Sequence, residues 1–462
     1  MRMHIEVVTE GQPGRQRIAT VERIVEQAPC DGIGLSLEEV KGLIGQLQTI
    51  VAAEHARETV AANSSCGACG QTFACKSSAS IVYRTVFGKL RLSSPRLHSQ
   101  CRCGARAYDG DSFNPLAMVL TERTHPKLLD LQTRWASSLS YQRAAKLLRD
   151  ILPLDAVPGP SSIKAQVRKA GQALATAEYE RGEHFFDTQP LNLPERPDEQ
   201  ANHVLEIDGA YIRAVADKCD GRNSFGIITS RLIKPDGPGA WNAYVNEQTR
   251  SPLSRLHHFL HLQDVDLHTS VAIISDAGED VAYPTYLPWR PVQRILDWFH
   301  IAMRFEHVLQ RLRGLCKSDP LTAEALLKRV ESAKWQLWHG RASGSLDQLN
   351  VVLPQCSGPL YDRVNELIVC LNRNDDRLVN YGVRYRKGMP ISTSTAESAV
   401  ESVVGDRFKK NRKMRWTPAG ANALLHIRVA DLNGELVSAL RERPWLRPKA
   451  AASDPWFYLR AA

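Results

Sequence analysis

Two aspartates stand in unusual company. The segment EIDGAYIR places Asp208 inside an apolar run, and IISDAGED places Asp276 at the end of another. A carboxylate within an apolar strand is costly unless it is paired, solvated or bound to a metal. In a sheet flanked by helices, strand ends are where ligands and metals usually bind. A third acid lies in STAESAVESVVGDRFKKNRKMRW. At about 100° per residue, a helix over 394–408 gathers Ala396, Ala399, Val400, Val403, Val404 and Phe408 on one apolar face. Glu397 then projects at the rim of that face, between Val404 and Phe408. Glu401 lies further round, as a surface acid. Asp208, Asp276 and Glu397 together offer hard oxygen ligands of the kind that suit Mg2+, with Mn2+ able to take its place. Two such ions would activate a water or a 3′-hydroxyl and stabilise the leaving oxygen of an in-line phosphoryl transfer.

The charge balance agrees with a polyanionic partner. The chain of 462 residues carries a net charge of +9, which favours nucleic acid. A dense basic run follows the third acid directly: Arg407, Lys409, Lys410, Arg412, Lys413 and Arg415. Its position beside a metal site suits contacts to DNA phosphates. No apolar run approaches the ~20 residues of a membrane span, and the N-terminus has no apolar core of a secretory signal. A cytoplasmic protein, not associated with a membrane, is expected.

The cysteines point to a second kind of chemistry. CGAC supplies Cys66 and Cys69, and CRC supplies Cys101 and Cys103, with strand-like sequence between the pairs. Four thiolates would hold a structural Zn2+ as in a zinc ribbon. The second pair is tighter than the usual spacing, and Cys75 or His98 is a candidate to replace one of its members.

The elements that must position these groups follow from periodicity. HVLEIDGAYIRAV, SFGIITSRLIK, GAWNAYVNE and SVAIISD read as strands. VQRILDWF is a fifth strand or a helix start. From 300 to about 385 the pattern is helical. Residues 35–61 read as a long amphipathic helix through Leu37, Val40, Leu43, Ile44, Leu47 and Val51, suited to packing or dimerisation. SYQRAAKLLRDIL and IKAQVRKAGQAL read as helix, turn, helix, with Ser140 capping the first and Ser161 or Ser162 the second. That pair carries Arg143, Lys146, Arg149, Lys164, Arg168 and Lys169 on its surface. Trp335, Trp338 and Trp416 are expected in the core. The Pro-rich segment near 187–203 reads as a linker.

The set Asp208, Asp276, Glu397 on strand, strand and helix resembles the RNase H-like catalytic core of DDE transposases. ILDWFH resembles the [C/D]-x-x-H motif that follows the second Asp in the Mutator, hAT and related superfamilies, here Asp297 and His300. The helical stretch before Glu397 is similar to the all-helical insertion of those enzymes. The segment AESAVESVVGDRFKKNRKMRWTPAGANALLHIR is similar to bacterial insertion-sequence transposases of the ISKra type. The resemblance implies Mg2+-dependent cleavage and strand transfer at the ends of a mobile element, on double-stranded DNA, by a homo-oligomer. In it Asp297 and His300 support the active site.

The expected organisation is an α/β protein. A helical arm at 1–62 precedes a zinc-ribbon-like module at 63–112 and a helix-turn-helix-like region at 113–186. After a linker at 187–202, an RNase H-like core with a mixed five-stranded sheet begins at 203–300. An all-α insertion at 301–390 interrupts it, and it closes at 391–435 with the Glu397 helix and the basic segment, before a tail at 436–462. Two rivals share these residues: an RNase H-like nuclease without strand transfer, and a non-catalytic DNA-binding relative.

Overall fold

The computed structural model describes residues 2–11, 14–24, 35–98, 112–120, 122–153, 158–188, 201, 203–215, 221–246, 252–282, 285, 287, 290–315, 320–393, 400–409 and 414–441. Within them the protein is mixed α/β, and it divides into two compact units. One holds the chain up to Ala170 together with a short helix after Leu436; the other runs from Gly171 to Glu435.

The first unit opens with a hairpin, not with the expected helices. Strands β1 (Arg2–Gly11) and β2 (Gly14–Ile24) pair antiparallel. The reason is legible afterwards: HIEVV and RIATV alternate β-branched with polar residues, and Gly11 and Gly14 flank the turn. Helix α1 (Leu37–Ala62) then begins at a capping box, with Ser36 accepting from the Glu39 amide and Glu39 bonding back to Ser36. The expected row is buried only in part: Leu43, Ile44 and Leu47 are half-buried, whereas Leu37, Val40 and Val51 are exposed. Further along, Ala52, Ala56 and Val60 pack on Leu90 and Leu92, where small residues let the helix lie close to the strand.

Leu90 and Leu92 belong to a three-stranded sheet of β3 (Ala74–Thr85), β4 (Gly88–His98) and β5 (Ser112–Phe113). The short helix α2 (Pro115–Val119) follows, then α3 (Pro126–Ser138), α4 (Tyr141–Ile151) and α5 (Pro160–Thr188). Ser140 caps α4 as expected, accepting from the Arg143 amide. Ser161 and Ser162 do not cap α5. The helix starts one residue earlier, at Pro160, and the Gly159 carbonyl accepts from Ser162 and Ile163; proline suits the first helical position because its missing N–H is not needed there. Arg143, Lys146, Arg149, Lys164, Arg168 and Lys169 are all exposed.

The break between the units falls inside α5, not in the Pro-rich segment, of which 189–200 lie outside the described residues. The second half of α5 packs within the second unit. A Cβ on Gly171 would sit 1.9 Å from the Ala423 carbonyl oxygen, so only glycine permits that approach.

The second unit is built on a five-stranded sheet in the order β10-β9-β6-β7-β8. Its strands are β6 (His203–Arg213), β7 (Ser224–Ile233), β8 (Ala240–Val245), β9 (Val271–Ser275) and β10 (Val292–Leu296). β6, β7 and β8 are antiparallel neighbours, whereas β9 and β10 run parallel to β6. Between β8 and β9 lies α6 (Pro252–Leu262), and between β9 and β10 the short α7 (Glu279–Ala282). The ambiguous VQRILDWF is therefore a strand that ends at Leu296 and a helix that starts at Trp298.

Both sheet faces are covered. Leu205, Ile207, Val271 and Ile273 pack with Leu256, Phe259 and Leu260 of α6. Val204, Ala272, Ile274 and Ile295 pack on the opposite side with α8 (Trp298–Leu315), α9 (Pro320–Trp338), α10 (Ala342–Val352) and α11 (Gly358–Arg373). Burial on two faces explains why these strands read as continuous apolar runs. A 3-10 turn (Asp375–Arg377) and α12 (Tyr381–Arg386) complete the helical stretch. After a π-helical segment (Val400–Lys409), α13 (Pro418–Leu432) closes the second unit and α14 (Leu436–Arg441) packs on α3 in the first. The edge of β8 is capped by side-chain amides of α13 and its end: Val245 donates to Asn422, and Asn433 both accepts from and donates to Trp241. Such capping protects a strand edge from pairing with other chains.

Candidate active site

The strand register brings three aspartates together. β6 and β9 pair in parallel as far as Ile207 opposite Ser275, and β10 pairs with β9 as far as Leu296 opposite Ser275. The next residue along each strand direction is Asp208, Asp276 and Asp297 respectively. Three adjacent strands thus carry an aspartate at one level, with backbones about 4.8 Å apart. Asp208 continues the row that Val204 begins, on the face packed against α8–α11.

The three carboxylates differ in their surroundings. Asp208 and Asp276 are half-buried. Each is held by one backbone amide: Asp208 Oδ1 accepts from Gly209 at 2.7 Å, and Asp276 Oδ1 from Gly278 at 2.9 Å. Both are acceptors in reach of solvent, which suits cation ligands. Asp297 is fully buried. Its Oδ1 accepts from the Phe299 amide at 2.7 Å, which caps α8. Its Oδ2 accepts from Thr393 Oγ1 at 2.5 Å and bonds His300 Nδ1 at 2.9 Å. Burial pushes the Asp297 carboxyl up, yet the bonds from His300 and Thr393 and the imidazole's charge outweigh it and hold the group below its usual range.

Asp297 therefore orients His300 rather than facing a ligand itself. The hydrogen bond to Asp297 raises the imidazole above its ordinary value, against the opposing effect of burial, and the charges of Asp297, Asp276 and Asp208 add to it. The ring thus stands within electrostatic reach of both half-buried aspartates. The pairing of Asp297 with His300 expected from DWFH is present, and Trp298 packs in the core against Trp338 and Tyr381.

Sequence reasoning missed the groups that fix these strand ends. Arg377, 1 % exposed, donates through Nη2 to the Ser275 and Asp276 carbonyls at 2.9 and 2.8 Å and to Ser275 Oγ. Its Nη1 donates to Asn374. Burial lowers its guanidinium to about 10, and the neighbouring Asp376 and Asp276 oppose that fall. Tyr381 donates to the Leu296 carbonyl at 2.8 Å, and the Trp298 amide donates to Ile391. Together these bonds fasten the end of β9 and of β10 from one short segment, 374–393. Glu206, two residues before Asp208 on the same side of β6, is also buried, and it pairs in register with Arg231. Nothing in the sequence marks Arg377 among the many other charged residues, whereas Glu206 stands in the same apolar run as Asp208 and could have been found by the same signal.

Glu397 lies outside the described residues, as do Lys410, Arg412 and Lys413. The projection that favoured it assumed α-helical turns, but Val400–Lys409 is wound as a π-helix, so that projection does not carry across this segment. Val403, Val404 and Phe408 are buried as expected, and Glu401 is exposed. Arg407, expected with the DNA-binding run, is buried instead. Its guanidinium lies 5.0 Å from the Trp416 ring centroid, and Phe408 packs on the same ring at 4.8 Å. The cause is Trp416, which is locked to β6: its amide donates to Arg213 and its carbonyl accepts from Val215. Arg415 and Lys409 are exposed. Trp335, expected in the core, is 61 % exposed, beside a half-buried Trp338.

Cys66 and Cys69 form a tight turn in the first unit. The Cys66 carbonyl accepts from Gly70, the Cys66 amide donates to Gln71, and Gly70 takes the left-handed φ of 73° that closes it. Cys66 is buried and Cys69 exposed. Cys75 and His98 lie on adjacent positions of the β3–β4 pairing, Ala74 being opposite His98. Cys101 and Cys103 lie outside the described residues. Among the described residues, no three His, Cys, Asp or Glu groups converge on a metal site; both donor sets in question include members outside them. No protein-family model matches the sequence, and no curated protein matches it either.

Proposed function

We propose that the protein is a DDE-type DNA transposase of the bacterial insertion-sequence kind, cutting phosphodiester bonds at element ends and joining them to target DNA. The observation that carries this reading is the row of aspartates at one level on β6, β9 and β10, in which two are half-buried acceptors in reach of solvent and the third is buried and hydrogen-bonded to the His300 imidazole. The mixed five-stranded sheet with helices on both faces is compatible with an RNase H-like core.

In this reading Asp208 and Asp276, with Glu397, would hold Mg2+ or Mn2+. The donor set fits: half-buried carboxylates, each steadied by a backbone amide on its Oδ1. The bound ions supply activation of the attacking oxygen and stabilisation of the leaving one. The chain's own residues do the rest. Arg377 holds the Asp276 backbone in place, Asp297 and Thr393 hold His300 beside the carboxylates, and Arg415 and Lys409 offer cations to the phosphate backbone. Helices α8–α12 would correspond to the all-helical insertion. The turn at Cys66–Gly70 fits a zinc knuckle, since it presents both thiols of a C-x-x-C pair around one loop. Cys101 and Cys103 would complete that set, with Cys75 or His98 as substitutes. Helices α4 and α5 would bind DNA through their exposed basic residues.

The test is a strand-cleavage and strand-transfer assay on DNA carrying the repeats that flank the coding region, with Mg2+. Changing Asp208 to Ala should lower cleavage by at least about two orders of magnitude and leave DNA binding in place. Cleavage by Asp208→Ala at the wild-type rate would sink the active-site assignment. Cleavage without joining would favour the plain nuclease, and binding without any cleavage the non-catalytic relative.

A further inference from the structure

Helix α8 leaves the candidate site from Asp297, whose carboxylate and carbonyl accept from Phe299 and Ile301. At about 100° per residue, its buried side is the row Ile301, Phe305, Val308, Leu309 and Leu312. Along one flank of that side, at i, i+4, i+7 and i+11, lie His300, Arg304, His307 and Arg311, and Met303 and Phe299 lie further round, opposite the buried row. Phe299 is 48 % and Met303 40 % exposed, and Arg304, His307 and Arg311 are exposed as well. No acid lies in the row His300, Arg304, His307 and Arg311 itself. Glu306 projects beside Phe299, away from that row, and is paired with Arg313 at 2.5 Å. Among the described residues, neither Arg304 nor Arg311 takes an ion-pair partner.

The row therefore begins at an imidazole that feels the charges of Asp208 and Asp276, and it runs outward with two unneutralised guanidiniums. From His300 to Arg311 is eleven residues, about 16 Å at 1.5 Å per residue. Arg304 and Arg311 stand about 10 Å apart along the axis, the advance of about three nucleotides at 3.4 Å each. A second helix or a second copy of this chain would need a continuous apolar stripe, and the apolar groups here end after one turn.

We propose that this face of α8 is the track along which the DNA strand entering the carboxylate site lies. Arg304 and Arg311 bind successive phosphates, and Phe299 and Met303 pack against the sugar or base nearest the bond to be cut. The proposal rests on the reading given under Proposed function, because that reading names the polymer, but its surface is distinct from the metal ligands.

The experiment uses the full chain and fluorescence anisotropy with a labelled DNA duplex, between about 50 and 200 mM salt, in wild type, Arg304→Glu/Arg311→Glu, Arg304→Lys/Arg311→Lys and Asp208→Ala. The charge-reversed variant should bind at least tenfold more weakly, with a salt slope shallower by about 2. The lysine variant should keep most of the affinity, Asp208→Ala all of it, and the four denaturation midpoints should agree. Unchanged affinity and slope in the reversed variant would overturn the track. So would a wild type that binds polyglutamate but not DNA, which would assign the surface to an acidic protein. The two readings fail separately. If no variant cleaves DNA yet the reversed one loses binding, the track stands and the active-site assignment falls. If cleavage depends on Asp208 while the reversed variant binds like wild type, the track alone falls.

Discussion

The turn at Cys66–Gly70 and the strand ends at Asp208 and Asp276 present their chemistry on opposite kinds of support. The aspartates stand on strands buried on both faces, and a buried arginine grips the backbone beside one of them. The thiols stand beside β3, whose first seven residues are all exposed, over a small core of Ala56, Leu90, Leu92 and Leu116. A site on a rigid, independently folded sheet keeps its geometry without a ligand. If the thiols hold zinc as proposed, a site with so little apolar burial behind it would depend on that ion for its fold. The two regions should then respond in opposite ways when metal is removed.

The largest expected effect is on the thiol turn. Chelation, or Cys66→Ser, should expose amides across 64–98 to rapid hydrogen exchange while those of β6 and β9 stay protected. Structural zinc in small modules is worth on the order of 10 kcal/mol at neutral pH, so the loss should be complete. Unaltered exchange in 64–98 after removal of all bound metal would show that the turn folds without it.

Next comes the grip of Arg377. Arg377→Met leaves the Asp276 carbonyl without its donor, and leaves the Ser275 carbonyl with the Asp297 amide alone. About 2–4 kcal/mol of the second unit's stability should go with it, read as a shift in the urea midpoint. Arg377→Lys should recover only part, because an ammonium cannot reproduce the planar fork that reaches these carbonyls through one nitrogen and Asn374 through the other. A loss below about 0.5 kcal/mol, the size of an ordinary surface change, would mean that the strand ends are fixed by packing alone.

These supports also mark the limit of what the sequence discloses. The strands were readable because burial on two faces demands nearly unbroken apolar runs, as in VAIIS. The aspartates stood out because they break or end those runs. Their common level did not follow from the sequence, since it depends on register, which is a pairing between distant segments. Arg377 and Thr393 were invisible for a related reason. Each acts on a strand end about a hundred residues away, through contacts that leave no periodic trace. The exposed Trp335 and the buried Arg407 reverse the usual assignment by residue type. Arg407 is inside because Trp416 is bound to β6 and offers its ring to the guanidinium. The N-terminal hairpin was misread because charged residues alternate with its apolar ones too briefly to separate period two from a helical face.

A smaller effect separates the buried member of the aspartate row from its exposed neighbours. Thr393→Val removes the hydroxyl that donates to Asp297 at 2.5 Å and keeps the volume. It should cost about 1–2 kcal/mol and leave the urea slope unchanged. It should also raise the carboxyl of Asp297, one of whose supporting bonds is lost. If stability does not change, Asp297 is satisfied by His300 and by the Phe299 and Thr393 amides, which the substitution keeps.

The smallest effect is a pH dependence, and it tests whether the Asp297–His300 pair is charged in the folded protein. The imidazole is raised above 6.5 by its bond to Asp297. Its contribution is therefore fully present below pH 6.5 and is lost as pH rises through the raised value. The Asp297 carboxyl is held below 3.8 despite its burial, by the bonds from His300 and Thr393, so its contribution is present above pH 3.8 and is lost as pH falls through the lowered value. The pair is strongest between those limits. The thermal midpoint of His300→Gln should fall furthest below wild type near pH 5.5, by a few degrees at most, and should approach it by about pH 9 as the wild-type imidazole loses its proton. A difference that grows with rising pH would mean that the imidazole is neutral in the fold and that the pair is a plain hydrogen bond. Because His300 also stands within reach of Asp208 and Asp276, bound Mg2+ should lower its pKa by repulsion. The pH at which the two midpoints converge should then move downward in Mg2+.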